Sequence, residues 1–239
     1  MTDETPSLGA IVEDREHGSE AIVINTPSTT ADEWHVQGRG TVAADNPTYP
    51  AGDPVVVVLH RPAYEEHFPL YSGGRPLLLD DLFVRDINHY AFPASRLETT
   101  GRVDTPTVPI EAIRPSPYHA RSFDAEANRA FIDDIAEAGE PPGPPLVRVR
   151  SHDPLDLELL NGHKRTWAAA VAGLDEIPVW AIYQLGDVEA ARAWANRHLD
   201  EYTGRQRRLA EQRLRDRLGA HVATDIIADH TGGTAHADD

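Results

Sequence analysis

The stretch Leu157-Glu158-Leu159-Leu160-Asn161-Gly162-His163-Lys164-Arg165-Thr166-Trp167-Ala168-Ala169 decides how this chain folds, because its periodicity changes in the middle. Residues 157–160 form a short apolar run of strand type. Residues 166–172 place Trp167, Val171 and Ala172 at helical spacing, so an inward-facing helix follows. Between the two lies a glycine turn holding a histidine and two cations, and Lys164 is the single lysine of the chain. The start of a helix presents N–H groups with no intrahelical acceptor and the positive end of the helix dipole. Basic side chains add charge at the same point, and together these features hold anions such as phosphate groups. A solvated surface turn would carry the same residues, so the motif alone leaves both readings open.

The neighbouring segments extend the pattern. Leu146-Val147-Arg148-Val149 reads as a strand and His152-Asp153-Pro154 as a turn. Phe123, Ala127, Phe131 and Ile135 recur every four residues, joined by Ile132 and Ala138. This predicts an amphipathic helix over 124–138, stopped by Gly139. Before it, Val108-Pro109-Ile110 is a short strand and 113–121 a proline-held loop. After the basic turn, Gly173 stops the helix, 177–182 is a strand, and a second helix carries Val188, Ala191, Trp194 and Ala195. The order β-α-β-β-α-β-α predicts a mixed domain over 108–203.

The N-terminal part has a different character. Ala10-Ile11-Val12-Glu13 and Ala21-Ile22-Val23-Ile24 flank a charged turn ending at Gly18, and 55–59 supplies a third strand. Scattered Pro and Gly between them forbid a long helix. A β-rich, barrel-like domain over 1–62 fits, and the hairpin from Gly9 resembles the opening of an SH3-like barrel. Residues 63–107 show no clean period and read as an irregular connector. Within it, 77–79 and 82–84 are compatible with short strands or with single helical turns.

Composition narrows the function classes. A chain of 239 residues has room for two domains with real cores. Its formal charge is −17, spread along the length, which predicts the hydrated carboxylate surface of a salt-rich, haloarchaeal-type cytoplasm. The absence of cysteine excludes disulfides, thiol catalysis and cysteine-ligated zinc. Twelve scattered histidines form no His-x-x-x-His pair on an expected helix, so no metal site is expected. No run approaches the roughly 18 apolar residues of a membrane span. Met1-Thr2-Asp3-Glu4 lacks the basic and apolar regions of a signal peptide, so a cytoplasmic protein is expected.

Several segments together carry a resemblance. These are Ile113-Arg114-Pro115-Ser116-Pro117-Tyr118-His119-Ala120-Arg121, the helix after it, the strand from Pro145, the stretch from Asn161 to Ala169, and Ala172-Gly173-Leu174-Asp175-Glu176-Ile177-Pro178-Val179. From about Val108 to Thr203 the chain resembles the N-terminal domain of the ParB family, within the ParB/sulfiredoxin-like superfamily. The resemblance implies a nucleotide site, for CTP, ATP or ADP with Mg2+ as companion ion. Gly162, His163, Lys164 and Arg165 take the positions of the phosphate-binding turn, and Arg121 closes the family's Pro-x-x-x-Arg loop. A second family motif, Glu-Asn-x-x-Arg, appears here as Ala195-Asn196-Arg197-His198-Leu199, keeping Asn196 but neither of the charged ends. Arg197 and His198 are the candidates for replacement contacts. Ligand-gated self-association in the family implies a homodimer.

Phosphoryl transfer requires a base, a metal and a cationic cradle, and the sequence displays the cradle alone. His119 is the candidate base, since imidazole titrates near neutrality, and Glu111 is the second candidate. The loop 116–119 holds no carboxylate, and sulfiredoxin chemistry needs a cysteine. Nucleotide binding without turnover is therefore expected, in a regulatory or DNA-associated module. A nucleotide-dependent kinase or nucleotidase is the alternative. After Thr203, a basic helix over 204–228 carries Arg205, Arg207, Arg208, Arg213, Arg215 and Arg217. It suits DNA phosphates, an acidic protein partner, or simply a solvated face. Residues 229–239 read as a disordered tail. The expected fold class is thus α+β: a barrel-like β domain, a ParB/sulfiredoxin-like α/β domain and a C-terminal helix.

Overall fold

Two apolar runs joined through Gly18 make the first hairpin, since Gly18 takes a left-handed φ of 64° and donates its N–H to Asp14 O at 2.7 Å. The computed structural model describes residues 5–36 and 38–230 and divides into two units, Met1–Pro106 and Thr107–Asp239. The first unit contains, in order, β1 (Ala10–Asp14), β2 (Glu20–Asn25), α1 (Val42–Asp45), β3 (Val55–His60), α2 (Arg61–His67), α3 (Leu79–Val84), β4 (Tyr90–Pro93) and β5 (Leu97–Arg102). Its five strands form one antiparallel sheet in the order β4-β3-β2-β1-β5. Both faces of the central strands are buried. Val12, Val23, Val56 and Val58 pack on one side, while the alternate residues Ile22, Ile24, Val55, Val57 and Leu59 are also buried. That is why β3 reads as an unbroken valine run.

Two expectations are corrected here. The sheet is open and not a closed barrel, because its end strands β4 and β5 do not pair. Pro93 has no N–H to offer a further ladder. Residues 63–107 are not an irregular connector: they supply α3 and two of the five strands. Their period was hidden because α3 is only six residues long and β5 exposes Glu98 to Arg102 on both faces.

A buried ion pair fastens this unit. The Arg96 guanidinium donates to both carboxylate oxygens of Asp14 at 2.8 and 2.7 Å, and to Asn46 Oδ1 at 2.6 Å. It thereby joins the end of β1, the C-cap of α1 and the start of β5.

The second unit contains β6 (Thr107–Pro109), β7 (Ile113–Arg114), α4 (Arg129–Ala138), β8 (Leu146–His152), β9 (Leu155–Asn161), α5 (His163–Val171), β10 (Glu176–Pro178), β11 (Trp180–Ile182), α6 (Asp187–His198), α7 (Gly204–Leu218) and α8 (Ala220–Ala228). A four-stranded sheet runs β11-β8-β9-β7, with the β8–β9 hairpin antiparallel and both outer strands parallel to their neighbours. β6 and β10 form a separate antiparallel pair. The run 177–182, read as one strand, is therefore two strands in different sheets, and the break follows Pro178. Helix α4 begins at Arg129 and not at 124. Asp124 Oδ1 accepts from the Ala127 N–H at 3.1 Å and Asn128 Nδ2 donates to Asp124 O at 2.6 Å, which holds a turn in place of helix.

The segment 204–228 is corrected from one helix to two. Gly219, at φ 81° and ψ 158°, separates α7 from α8 in a conformation a helix interior does not allow. The pair folds back on α6, burying Trp194, Leu199 and Tyr202 against Ala210, Leu214, Ile226 and Ile227. Of the tail expected over 229–239, residues 231–239 lie outside the described residues. Asp229 accepts from Arg192 at 2.8 Å. Among the described residues no helix is long and apolar enough to cross a membrane.

Removing the Asp14 carboxylate strands a buried guanidinium. Asp14→Ala is expected to lower the unfolding free energy by about 3–5 kcal/mol in urea denaturation. The Arg96 guanidinium beside Asp14 holds its carboxyl far below the usual range. Its stabilisation is therefore complete above the unfolded-state value of about 4 and is lost as pH falls below it. The wild-type urea midpoint should drop steeply in acid, and the variant should lack that component of the drop.

Candidate functional site

The site is built where β9 turns into α5. Gly162 makes the turn alone, at φ 94° and ψ 20°, and a Cβ placed on it would lie 2.7 Å from Pro145 Cβ. Asn161 Oδ1 accepts the Gly162 N–H at 2.7 Å. The first intrahelical bond runs from the Thr166 N–H to Gly162 O at 3.0 Å. The N–H groups of His163, Lys164 and Arg165 are thus left without intrahelical acceptors. The basic residues sit inside the first turn of the helix, one turn earlier than periodicity had placed its start.

Three imidazoles and one tyrosine form the wall beside this turn. His163 is buried, and its Nε2 accepts the Ser116 N–H at 3.1 Å, so the ring hydrogen must sit on Nδ1. His119 stacks on it, with centroids 3.8 Å apart and planes 9° from parallel. The Tyr202 hydroxyl takes the Ala120 N–H at 3.4 Å and lies 2.9 Å from His119 Nδ1. With the tyrosine proton on the Nδ1 side, the His119 hydrogen sits on Nε2; with the hydrogen on Nδ1, Nε2 is a bare acceptor. Among the described residues neither His163 Nδ1 nor His119 Nε2 has a hydrogen-bond partner, although both are buried. His198 donates its Nε2 hydrogen to Leu160 O at 3.1 Å and meets both other rings edge-on. Burial, reinforced by mutual repulsion, lowers the His119 pKa to about 4 and that of His163 to about 2. His198 is also lowered, mainly by burial. All three rings are neutral at pH 7.

A cleft of about 500 Å³ opens over this wall, lined by Gly162, His163, Lys164, Arg165, His119, Arg121, Arg197 and His198 among others. Seven of the eight residues expected to bind phosphate, together with His119, therefore come together, but they are not equivalent. Lys164 is exposed, with Nζ 4.7 Å above the Phe131 ring centroid. Arg165 is committed elsewhere: its Nη1 donates to the carbonyls of Pro142, Gly143 and Pro144 at 3.4, 2.9 and 3.4 Å. Arg121 donates to the Glu201 carboxylate at 3.1 Å and lies over the Tyr202 ring at 4.7 Å. Arg197 reaches back to Ala193 O at 2.8 Å. The eighth, Asn196, is outside the lining, where its Oδ1 meets His230 Nε2 at 3.1 Å. Glu111 is exposed in the 3-10 turn Ile110–Ala112 and also lies outside it.

The arginines of α7 divide in the same way. Arg213 donates to His119 O, and Arg207 to Glu211 at 2.7 Å and Leu199 O at 2.9 Å. Arg215 lies 3.7 Å from Glu211. Arg205, Arg208 and Arg217 are exposed. Reading the sequence missed Trp167, Phe123 and Glu201 as cleft residues. The two aromatics had been assigned to the core by their spacing, yet both are only half-buried, with ring centroids 6.2 Å apart.

The donor set does not fit Mg2+. Glu201 is the one carboxylate lining the cleft among the described residues, and Arg121 engages it. Nor do any three His, Asp or Glu side chains among those residues group to hold a metal ion.

Comparisons with known proteins add the following. No family model matches the chain, and no curated protein matches it. It is similar in structure to ParB over about half its length. The C-terminally truncated chromosome-partitioning protein ParB from Caulobacter crescentus, complexed with CTP-gamma-S, is 21% identical over 54% of this chain and 71% of that one, with a TM-score of 0.35. The same protein complexed to the centromeric parS site is 22% identical over 51% of this chain and 64% of that one, with a TM-score of 0.33.

The neutral rings give the site a pH signature. An unfolded histidine takes up a proton near pH 6.5, whereas His119 resists until about pH 4. Stability is therefore lost as pH falls from about 6.5 towards 4, since the unfolded chain binds the extra protons. Urea midpoints should decline across that window. His119→Asn should show a shallower decline than wild type, and equal slopes would contradict the burial of this ring.

Proposed function

We propose that the second unit binds a phosphate-bearing ligand of the nucleotide class and acts as a regulatory module, not a catalyst. The carrying observation is the pair of buried imidazole nitrogens without a hydrogen-bond partner among the described residues, the His163 Nδ1–H donor and His119 Nε2, beside a helix N-terminus. A buried donor without a partner costs about 1–3 kcal/mol, so the wall is built to meet an acceptor. An anionic oxygen at the first turn of α5, or a water ordered behind it, supplies one. Lys164 adds a mobile charge at the rim, and the half-buried faces of Trp167 and Phe123 suit a planar base.

Binding is favoured over turnover by the same geometry. A general base for a substrate hydroxyl needs a free lone pair or carboxylate in the cleft. His163 Nε2 accepts from Ser116, His119 Nδ1 faces the Tyr202 hydroxyl and Glu201 is tied to Arg121, which leaves His198 Nδ1 as the one ring lone pair without a partner, on an imidazole whose burial lowers its basicity. The exposed Arg205, Arg208 and Arg217 support a DNA-associated role for α7. The dispersed carboxylates support adaptation to a salty cytoplasm, where phosphate contacts weaken.

Titration calorimetry with CTP, ATP and ADP, with and without Mg2+, tests the proposal. Saturable binding of one of them without measurable hydrolysis is expected. Lys164→Ala should weaken binding about tenfold, the scale of one charge-assisted contact, with little change in melting temperature. Arg165→Ala should lower the melting temperature because it frees the loop 142–144. Turnover, or binding indifferent to Lys164, would refute the assignment. A gel shift that stayed flat with duplex DNA would remove the DNA-associated role alone.

A further inference from the structure

The first unit carries a cleft of its own, of about 880 Å³, between residues 34–36 and 39–46, α3 and the edge strand β4. Its walls are aromatic: Trp34, Phe83, Tyr90 and Phe92 line it, with the Tyr90 and Phe92 rings stacked at 6.5 Å. Of the four exposed large apolar side chains described in this unit, Phe83 and Tyr90 line it, and Leu78 and Val84 are chain neighbours of lining residues. Phe83 is 66% exposed, Val84 81%, and Leu78 and Tyr90 43% each, and they lie within one stretch of thirteen residues, 78–90. A hydrophobic patch so localised on an otherwise charged surface marks an interaction site.

The charges around it state which partner fits. The two cations that line the cleft are already matched, Arg96 by Asp14 at 2.7 Å and Arg39 by Asp45 at 3.7 Å. Asp80 lines the cleft and, like Asp81 and Asp86 in the same stretch of chain, makes no ion pair among the described residues, while Arg85 between them lies over the Phe68 ring at 5.5 Å. Three carboxylates against one guanidinium leave this stretch net negative, and Asp80 shares the cleft lining with the aromatic side chains. Guanidinium and ammonium groups bind such faces through the ring quadrupole while pairing with the carboxylate, whereas nucleic acid is repelled. We infer that this cleft is a docking site for a partner protein, through a cationic segment whose arginine or lysine side chains alternate with apolar ones.

The test uses the full chain and a fluorescein-labelled peptide of alternating arginine and leucine, followed by polarisation. Saturable binding is expected, weakened at least tenfold by Phe83→Ser and several-fold by Asp80→Asn. Phe83 and Asp80 are exposed, so neither change should disturb the fold, which circular dichroism checks. Trp180→Ser, an exposed apolar residue of the second unit, should leave binding unchanged and so separates this cleft from general attraction to an acidic protein. Equal binding by wild type and Phe83→Ser would overturn the inference. So would equal affinity for a glutamate–leucine peptide or a single-stranded oligonucleotide.

Discussion

The passage from β9 to α5 takes a single residue, and it exists because Gly162 offers no side chain where Pro145 stands. A left-handed turn of one residue ends the strand and starts the helix at once, so that the first helical residues, His163, Lys164 and Arg165, line the cleft. Arg165 fixes the opposite side of the same joint by gathering three carbonyls of the loop before β8. Strand, loop and helix start are thereby locked together. The histidine wall follows from that lock, since His163 is the first helical residue and its ring is buried at once beneath the Ser116 N–H.

Much of this could be read from the chain. The three N-terminal strands, the β8–β9 hairpin, the basic helix start and α6 all announced themselves through period or punctuation. What stayed hidden shares a physical cause: elements too short or too exposed to show a period. β5 faces solvent on both sides, α3 has six residues, and β10 and β11 are three residues each on either side of a proline junction. Within the site, residue type located the cleft but not the role of each side chain. Arg165 and Lys164 are adjacent in sequence, and only packing shows that one is a structural tie and the other a rim charge. Asn196 was placed in the site by motif position, yet it sits on the face of α6 that meets His230.

Arginine does structural work throughout this protein. Arg96 knits β1, α1 and β5, while Arg148 contacts Glu158 at 2.8 Å and Asp187 at 2.6 Å from the centre of the second sheet. Arg207 and Arg213 pin α7 to the residues around the cleft. A guanidinium suits these positions because its planar fork serves several acceptors at once. In a chain so rich in carboxylates, such forks organise negative charge into fixed joints. The cationic stripe visible in α7 is accordingly thinner in three dimensions than in sequence.

Lysine, by contrast, is used once, and its placement has a consequence for chemistry done on the protein. With every other basic side chain a guanidinium or an imidazole, Lys164 is the sole side-chain primary amine. It rests in solvent across Phe131 at the lip of the cleft. An amine-selective reagent will therefore mark this lip and, apart from the chain's α-amino group, nothing else. The protein comes with an attachment point beside this cleft, where a dye or cross-linker would report on its surroundings without any engineered residue.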